Sequence, residues 1–204
     1  MISKTPEPWA RLEEEFGLTI SSDLRLRVLS YVGLLVKWGQ RLNLTGLDKE
    51  EDILRHHFFE AFWAAEYCVG ETARLVDIGS GAGFPGLGIA LYRPDIEVLL
   101  IESNHKKAVF LEEVARSLGV PARVECIRAE NFDGWNNFDL ATLRAVRLGS
   151  KLLKKLQQAR IELLWFHGEK EVIPAGWKVI ESKKVPGSRN RKVSRLVVEN
   201  GRFT

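Results

Sequence analysis

The segment Val76-Asp77-Ile78-Gly79-Ser80-Gly81-Ala82-Gly83-Phe84-Pro85-Gly86 limits the possible folds more than any other part of this sequence. It follows a short apolar run, Arg74–Ile78, and leads into a helical pattern from Pro85 to Tyr92. A glycine turn between strand and helix lets backbone approach a ligand, because no Cβ stands in the way. Two frames compete. Gly81, Gly83 and Gly86 match the literal dinucleotide fingerprint. The other frame begins at Gly79 and gives Gly-x-Gly-x-Gly, preceded by Asp77 on the strand. The apolar run ends at Ile78, so Gly79 is the first turn residue and the second frame fits. An acid at the strand end suits an amine-bearing ligand better than a pyrophosphate. Pro85 also removes a backbone donor that a phosphate would use. The loop is therefore read as a nucleotide-type cofactor site, with Asp77, Gly79, Gly81, Gly83 and Phe84 as its residues.

The rest of the chain places this loop in an alternating α/β grammar. Ile96–Ile101, Ala122–Arg128, Phe138–Leu143 and Ile161–Phe166 read as further strands. Between them stand a helix capped by Ser103-Asn104 and stopped by Gly119 and Pro121, and another over Leu148 to Ala159. Trp177–Val185 and Val193–Glu199 have no helix between them and are expected to pair as an antiparallel hairpin. Successive strand–helix units imply a parallel sheet covered on both faces. The first seventy residues read as helical. Ser21-Ser22-Asp23 caps an apolar stripe through Leu24, Val28, Tyr31, Leu35 and Trp38, Asn43-Leu44-Thr45-Gly46 interrupts it, and Asp48 to Tyr67 resumes it. The expected organisation is an N-terminal helical cap, 1–70, and a sheet domain, 71–204.

Composition excludes several classes. The chain is 204 residues long, 45% apolar and 28% charged, as in ordinary globular domains. Its apolar stretches are too short to span a bilayer, and residues 1–15 carry no apolar segment of the kind a leader needs. A cytoplasmic protein is expected. Cys68 and Cys126 have neither the number nor the spacing of a disulfide framework or zinc site, and both read as core residues; no metal is expected. Residues 1–143 hold 15 basic and 22 acidic side chains, whereas residues 144–204 hold 15 basic and only 5 acidic. A basic back third suggests a polyanionic partner.

Glu102 ends the second strand about 23 residues after Gly79, near the spacing of an acid that grips ribose hydroxyls. Ala129-Glu130 follows the third strand at the same sheet edge, where its backbone and carboxylate would meet an adenine. Arg144 follows the fourth strand.

These residues match S-adenosylmethionine-dependent methyltransferases, and the chain resembles one family more closely: the small-subunit ribosomal RNA guanine-N7 methyltransferases of the RsmG, or glucose-inhibited division protein B, type. The resemblance runs from Trp38 to about Val146. It is carried by Trp38-Gly39-Gln40-Arg41-Leu42-Asn43-Leu44-Thr45, by Arg55-His56, by Asp77 to Gly86 with its Phe84-Pro85-Gly86 ending, by Glu102-Ser103-Asn104-His105-Lys106-Lys107, and by Arg144-Ala145. The sequence departs from the family pattern where Phe59-Glu60 replaces Asp-Ser, Leu143 replaces Ser, and His167-Gly168 replaces Lys-Gly. The resemblance implies a seven-stranded Rossmann-like methyltransferase fold. Its cofactor would be S-adenosyl-L-methionine, held at Gly79, Phe84, Glu102, Ala129-Glu130 and Arg144. The implied substrate is a guanine in the decoding-region loop of 16S rRNA, met as RNA, as the small ribosomal subunit or as an assembly intermediate, by a monomeric enzyme.

Guanine N7 carries an in-plane lone pair and no proton, so direct attack on a sulfonium methyl needs no general base. Arg144, Asn43 and His56 are the residues expected to position the reaction, and Arg55 is a further candidate contact. No Asp/Asn-Pro-Pro-aromatic segment follows the fourth strand, as amino-group methylation would require. The RNA-facing surface is expected at Arg147, Lys151 and Lys155, one helix face, and at Lys183, Lys184, Arg189, Arg191, Lys192 and Arg195 around the hairpin. The six tryptophans read as core. A small-molecule methyltransferase and a non-catalytic RNA-binding or ribosome assembly factor with a retained cofactor pocket stay open as alternatives.

Overall fold

A computed structural model of the chain describes residues 7–39, 42–47 and 49–199. Gln40 and Arg41 of the Trp38 motif, and Asp48 at the expected helix start, lie outside the described residues.

Seven strands form one sheet in the order β3-β2-β1-β4-β5-β7-β6. They are β1 (Arg74–Ile78), β2 (Glu97–Ile101), β3 (Ala122–Glu125), β4 (Leu140–Arg144), β5 (Glu162–Gly168), β6 (Trp177–Lys184) and β7 (Arg191–Val198). The first five are parallel, whereas β7 runs antiparallel to β5 and β6 antiparallel to β7. The expected α/β class with its terminal antiparallel hairpin is the observed one. The first strand of that hairpin, β6, lies outermost, so it is β7 that extends the parallel sheet.

The helices are α1 (Glu7–Phe16), α2 (Ser22–Gly39), α3 (Glu50–Ile53), α4 (Glu60–Tyr67), α5 (Gly86–Tyr92), α6 (His105–Leu118) and α7 (Ser150–Ala159). A π-helical turn, Leu54–Phe59, joins α3 to α4. The α6 helix begins and ends as its sequence predicts. Asn104 Oδ1 accepts from the amides of Lys106 and Lys107 at 3.0 and 3.2 Å, and Gly119 closes the helix at φ 59°.

Strand alternation sorts the sheet into two faces. Leu75, Val98, Leu100, Leu140, Leu164, Phe166 and Val193 share a core with α1, α2, α4, α5 and α6. Val76, Ile78, Leu99, Ile101, Leu143, Leu163 and Trp165 pack on the other face with Leu152 and Leu156 of α7. Tyr31, Phe58, Phe59 and Phe62 are wholly buried between the N-terminal helices and the sheet. Truncating one of these phenylalanines to alanine would cost about 3–5 kcal/mol.

Two expectations need correction. The strand expected over Ala122–Arg128 stops at Glu125, because the Ile127 amide turns back to the Glu125 carbonyl at 3.0 Å and β3 is an edge strand with every second residue exposed. Cys126 therefore lies exposed just past the strand and is no core residue, whereas Cys68 is buried. Burial pushes the Cys68 thiol up to about 11. Of the tryptophans, Trp9, Trp63, Trp135, Trp165 and Trp177 are buried, and Trp38 packs partly buried on the same core.

Candidate functional site

The glycine loop hangs from the end of the neighbouring strand. The amides of Gly79 and Ser80 both donate to the Ile101 carbonyl, at 2.8 and 3.2 Å. Gly83 takes φ +91°, and a Cβ there would stand 2.1 Å from Tyr31 Oη. Only glycine fits such a position. Tyr31, from α2, donates its hydroxyl to the Ala82 carbonyl at 2.8 Å and stacks on Phe84 with centroids 5.2 Å apart. At Gly86 the constraint is proximity: a Cβ would come 2.6 Å from Asp77 Cβ.

Asp77 lies on the helix-covered face of β1, in register with Thr142 of β4. Its carboxylate is 1% exposed and accepts from Thr142 Oγ1 at 2.6 Å. Burial pushes its carboxyl above the usual carboxylate range, with the Thr142 bond acting the other way. The structure thus places Asp77 beneath the loop, under Gly86, rather than in its mouth.

Glu102 reaches the loop from the end of β2. One carboxylate oxygen accepts from the Gly81 amide at 2.9 Å and the other from the Asn104 amide at 2.7 Å. Each oxygen keeps acceptor capacity, so the group fits a ligand that offers hydroxyl donors, as a ribose does. Ala129 and Glu130 follow β3 in a 3-10 turn, Ala129–Asn131, and both are half-buried. Arg144 ends β4. Ala145 follows it at φ 55°, and Val146 then leans on Gly79, where a Cβ would meet it at 2.8 Å. These four strand ends line one edge of the sheet.

The N-terminal helices cover that edge through the π-helical turn, a feature often found at functional sites. His57 lies against Phe84 on the turn's inner side. Its Nε2 stands 2.9 Å from Thr45 Oγ1, and its Nδ1 3.5 Å from an Arg144 NH2 group. A guanidinium only donates, so Nδ1 accepts and Nε2–H donates to Thr45. Burial, and then the neighbouring Arg144, lower the imidazole from 6.5 to about 3. Burial likewise lowers the Arg144 guanidinium from the ordinary arginine range, with Glu60 opposing it.

Glu60, at the start of α4, is 1% exposed. Its Oε1 lies 2.7 Å from an Arg191 NH1 group and 3.1 Å from His56 Nδ1, and its Oε2 lies 4.0 Å from Arg144. Asn43 is exposed on the segment that carries Thr45.

The basic residues expected on one surface divide into two groups. Arg147, Lys151, Lys184 and Arg189 are exposed. Lys155 instead fastens α7 to Asp133 at 2.6 Å, Lys183 meets Glu181 and the Tyr67 carbonyl, and Lys192 meets Glu169. Arg191 and Arg195 are each held by an acid. Alternation along β7 turns both toward the helices, where Arg191 pairs with Glu60 and Arg195 with Glu162 at 2.5 Å. Arg55 is also held within the protein, by Glu15 and Glu51. Sequence reasoning missed His57, Thr45 and Glu60. The doubled histidine after Arg55 was the available signal for the first.

A glycine loop, an acid at the end of the next strand and this strand order define the class: the seven-stranded Rossmann-like methyltransferase fold. The tRNA (uracil-54, C5)-methyltransferase of Pyrococcus abyssi, solved with S-adenosyl-L-homocysteine, has that architecture. It superposes with a TM-score of 0.55 at 17% identity over 68% of this chain and 37% of its own. Within that class the chain belongs to the GidB family, rRNA small subunit methyltransferase G, whose model matches residues 26–172. It is 40% identical over 125 residues to the ribosomal RNA small subunit methyltransferase G of Chromobacterium violaceum, covering 61% of this chain and 59% of that one. It is 33% identical over 180 residues to the protein of the same name from Xanthomonas campestris, covering 83% and 84%. The match spans about three fifths of the length of the first curated relatives.

Proposed function

We propose that this chain is an S-adenosylmethionine-dependent methyltransferase that methylates guanine N7 in the decoding-region loop of 16S rRNA. The observation that carries the reading is Glu102 bonded to Gly81, an acceptor-only carboxylate set against a glycine loop at the open edge of the sheet. Membership of the GidB family supplies the RNA substrate.

The bound cofactor supplies an electrophilic sulfonium methyl. Glu102 would accept from the ribose hydroxyls, the backbone of Gly79 to Gly83 would support the cofactor, and Ala129-Glu130 would meet the adenine. Asp77 holds the loop from below through Thr142. Arg144 faces the base, with Asn43 and His56 on the cap side. N7 has no proton to lose, and the residues agree with this. His57, stacked on Phe84 of the loop, is neutral and a weak base, because it is buried and, secondly, lies beside Arg144. Orientation and exclusion of water are what the chain contributes.

Arg147, Lys151, Lys184 and Arg189 meet RNA phosphates, since charges already tied to acids contribute less. The chain acts as a monomer in the cytoplasm, on the small ribosomal subunit or an assembly intermediate. Among the described residues no helix is long and apolar enough to cross a membrane.

The test maps N7-methylguanine by borohydride–aniline cleavage in RNA from cells with and without the gene, rescued by the wild type or by Glu102→Ala. Loss of one decoding-region site, restored by the wild type and poorly by the variant, is expected. An unchanged map in cells that normally express the protein overturns the reading and directs attention to a small-molecule substrate.

A further inference from the structure

We propose that Glu60 is a positioning residue for methyl transfer, which orients Arg144 toward the base through a charge cluster shared with Arg191 and His56. The inference rests on the RNA methyltransferase reading above.

Three side chains from three separate parts of the chain meet the Glu60 carboxylate. Glu60 and His56 come from the helical cap, four residues apart on one helix face. Arg144 comes from the end of β4, and Arg191 from the start of β7. A carboxylate that is 1% exposed is costly to keep charged unless cations compensate it. Here two guanidinium groups do so.

The contacts are unequal, and the inequality suggests the role. Glu60 Oε1 is held firmly, at 2.7 Å from Arg191. Glu60 Oε2 has no hydrogen bond, and neither has the buried NH1 of Arg144. Glu60 Oε2 stands 4.0 Å from the Arg144 NH2 group, close enough for attraction and too far for a bond. The same Arg144 NH2 group has His57 Nδ1 at 3.5 Å, again at the limit of bonding. Arg144 is thus steered by charge yet keeps an unused donor. Contacts at these distances leave the guanidinium room to shift toward a third partner. Arg191, bonded to Glu60, keeps the carboxylate itself from swinging.

A purely structural role for Glu60 and a positioning role differ in what they change. Cofactor affinity reads the glycine loop and Glu102, which Glu60 does not touch, and it reads Arg144 as well only if that side chain turns to the cofactor and not to the base. Turnover reads the aim of Arg144. The experiment compares wild type, Glu60→Gln, Glu60→Asp, Arg144→Ala and the pair Glu60→Gln with Arg144→Ala. It measures S-adenosylmethionine affinity by calorimetry, thermal unfolding, and kcat and KM for methyl transfer to small ribosomal subunits lacking the modification. Expected for Glu60→Gln are cofactor affinity within about twofold of wild type and a kcat at least about tenfold lower. Glu60→Asp, which keeps the charge, recovers most of that loss. Adding Glu60→Gln to Arg144→Ala produces no further loss, since Glu60 acts only through Arg144. If Glu60→Gln does not fold, Glu60→Gln combined with Arg191→Gln removes the charge in balance and carries the same comparison. Wild-type kcat in a folded Glu60 variant, cofactor and RNA affinities that fall in step with unfolding temperature, or additive losses with Arg144→Ala would each overturn the inference alone. A wild-type enzyme that transfers no methyl group to RNA overturns the functional reading and this one together.

Discussion

His57 lies face to face with Phe84, the ring centroids 4.7 Å apart and the planes within 10° of parallel. Tyr31 covers the other face of Phe84, also stacked. The tip of the glycine loop is therefore clamped between a helix of the cap and its π-helical turn. The loop's shape depends on residues far from it in sequence.

The clamp has a pH signature. His57 is held at about 3 in the folded protein, against 6.5 for a free imidazole. Below about pH 6.5 the unfolded chain binds a proton that the folded chain does not, so this contribution to stability falls as pH drops toward 3. Replacing His57 with glutamine removes that term. Denaturant melts of both proteins from pH 7 to pH 4 should show the difference in stability between wild type and His57→Gln shrinking by up to a few kcal/mol as pH falls. A constant difference across that range would count against a buried neutral imidazole.

Gly83→Ala tests the same contact from the loop side. The added methyl would collide with Tyr31 Oη on a backbone at φ +91°. Destabilisation on the order of 2–4 kcal/mol is expected in equilibrium unfolding, from overpacking and backbone strain together. Tyr31→Phe in the Gly83→Ala background should recover only part of it, because the backbone strain remains.

Thr142→Val keeps the shape of the β4 side chain but removes the hydrogen bond to buried Asp77. A loss of about 1–3 kcal/mol in unfolding free energy is expected. Weaker binding of S-adenosylmethionine should accompany it, since Asp77 underlies Gly86. Thr142→Ser should restore both.

The basic residues can be sorted by salt. Each phosphate contact removed lowers the slope of log affinity against log salt by about 0.7–0.9. Substituting Arg147, Lys151, Lys184 or Arg189 with alanine should lower it, as measured by fluorescence anisotropy on a labelled RNA from the decoding region. Lys155→Ala and Arg195→Ala should leave the slope unchanged and lower thermal stability instead, because both side chains hold acids within the fold.

Much of this architecture was legible in the sequence because its signals are local. The strand at Arg74–Ile78, the Asn104 cap and the Gly119 stop depend on neighbouring residues, and each is found where those neighbours put it. The residues around the loop mouth were less legible. Glu60 looks like a departure from a family pattern, and only the three-dimensional fold shows Arg191 beside it. Arg191 and Arg195 looked like members of a basic cluster, since a charge count cannot show which face of a strand a side chain takes. The Arg55-His56 motif points to His56, whereas it is His57 of the π-helical turn that stacks on the loop.

The position of β6 outside β7 also bears on how the molecule is made. β7 pairs with β5 on one side and β6 on the other, so the outer strand cannot be seated before the inner one. Arg191, at the start of β7, reaches Glu60 only when that strand has docked. On a chain emerging from the ribosome, the cap and the glycine loop would be present well before their last cation arrives. The charge balance of an acid buried under the cap therefore depends on a strand that the chain supplies more than a hundred residues later.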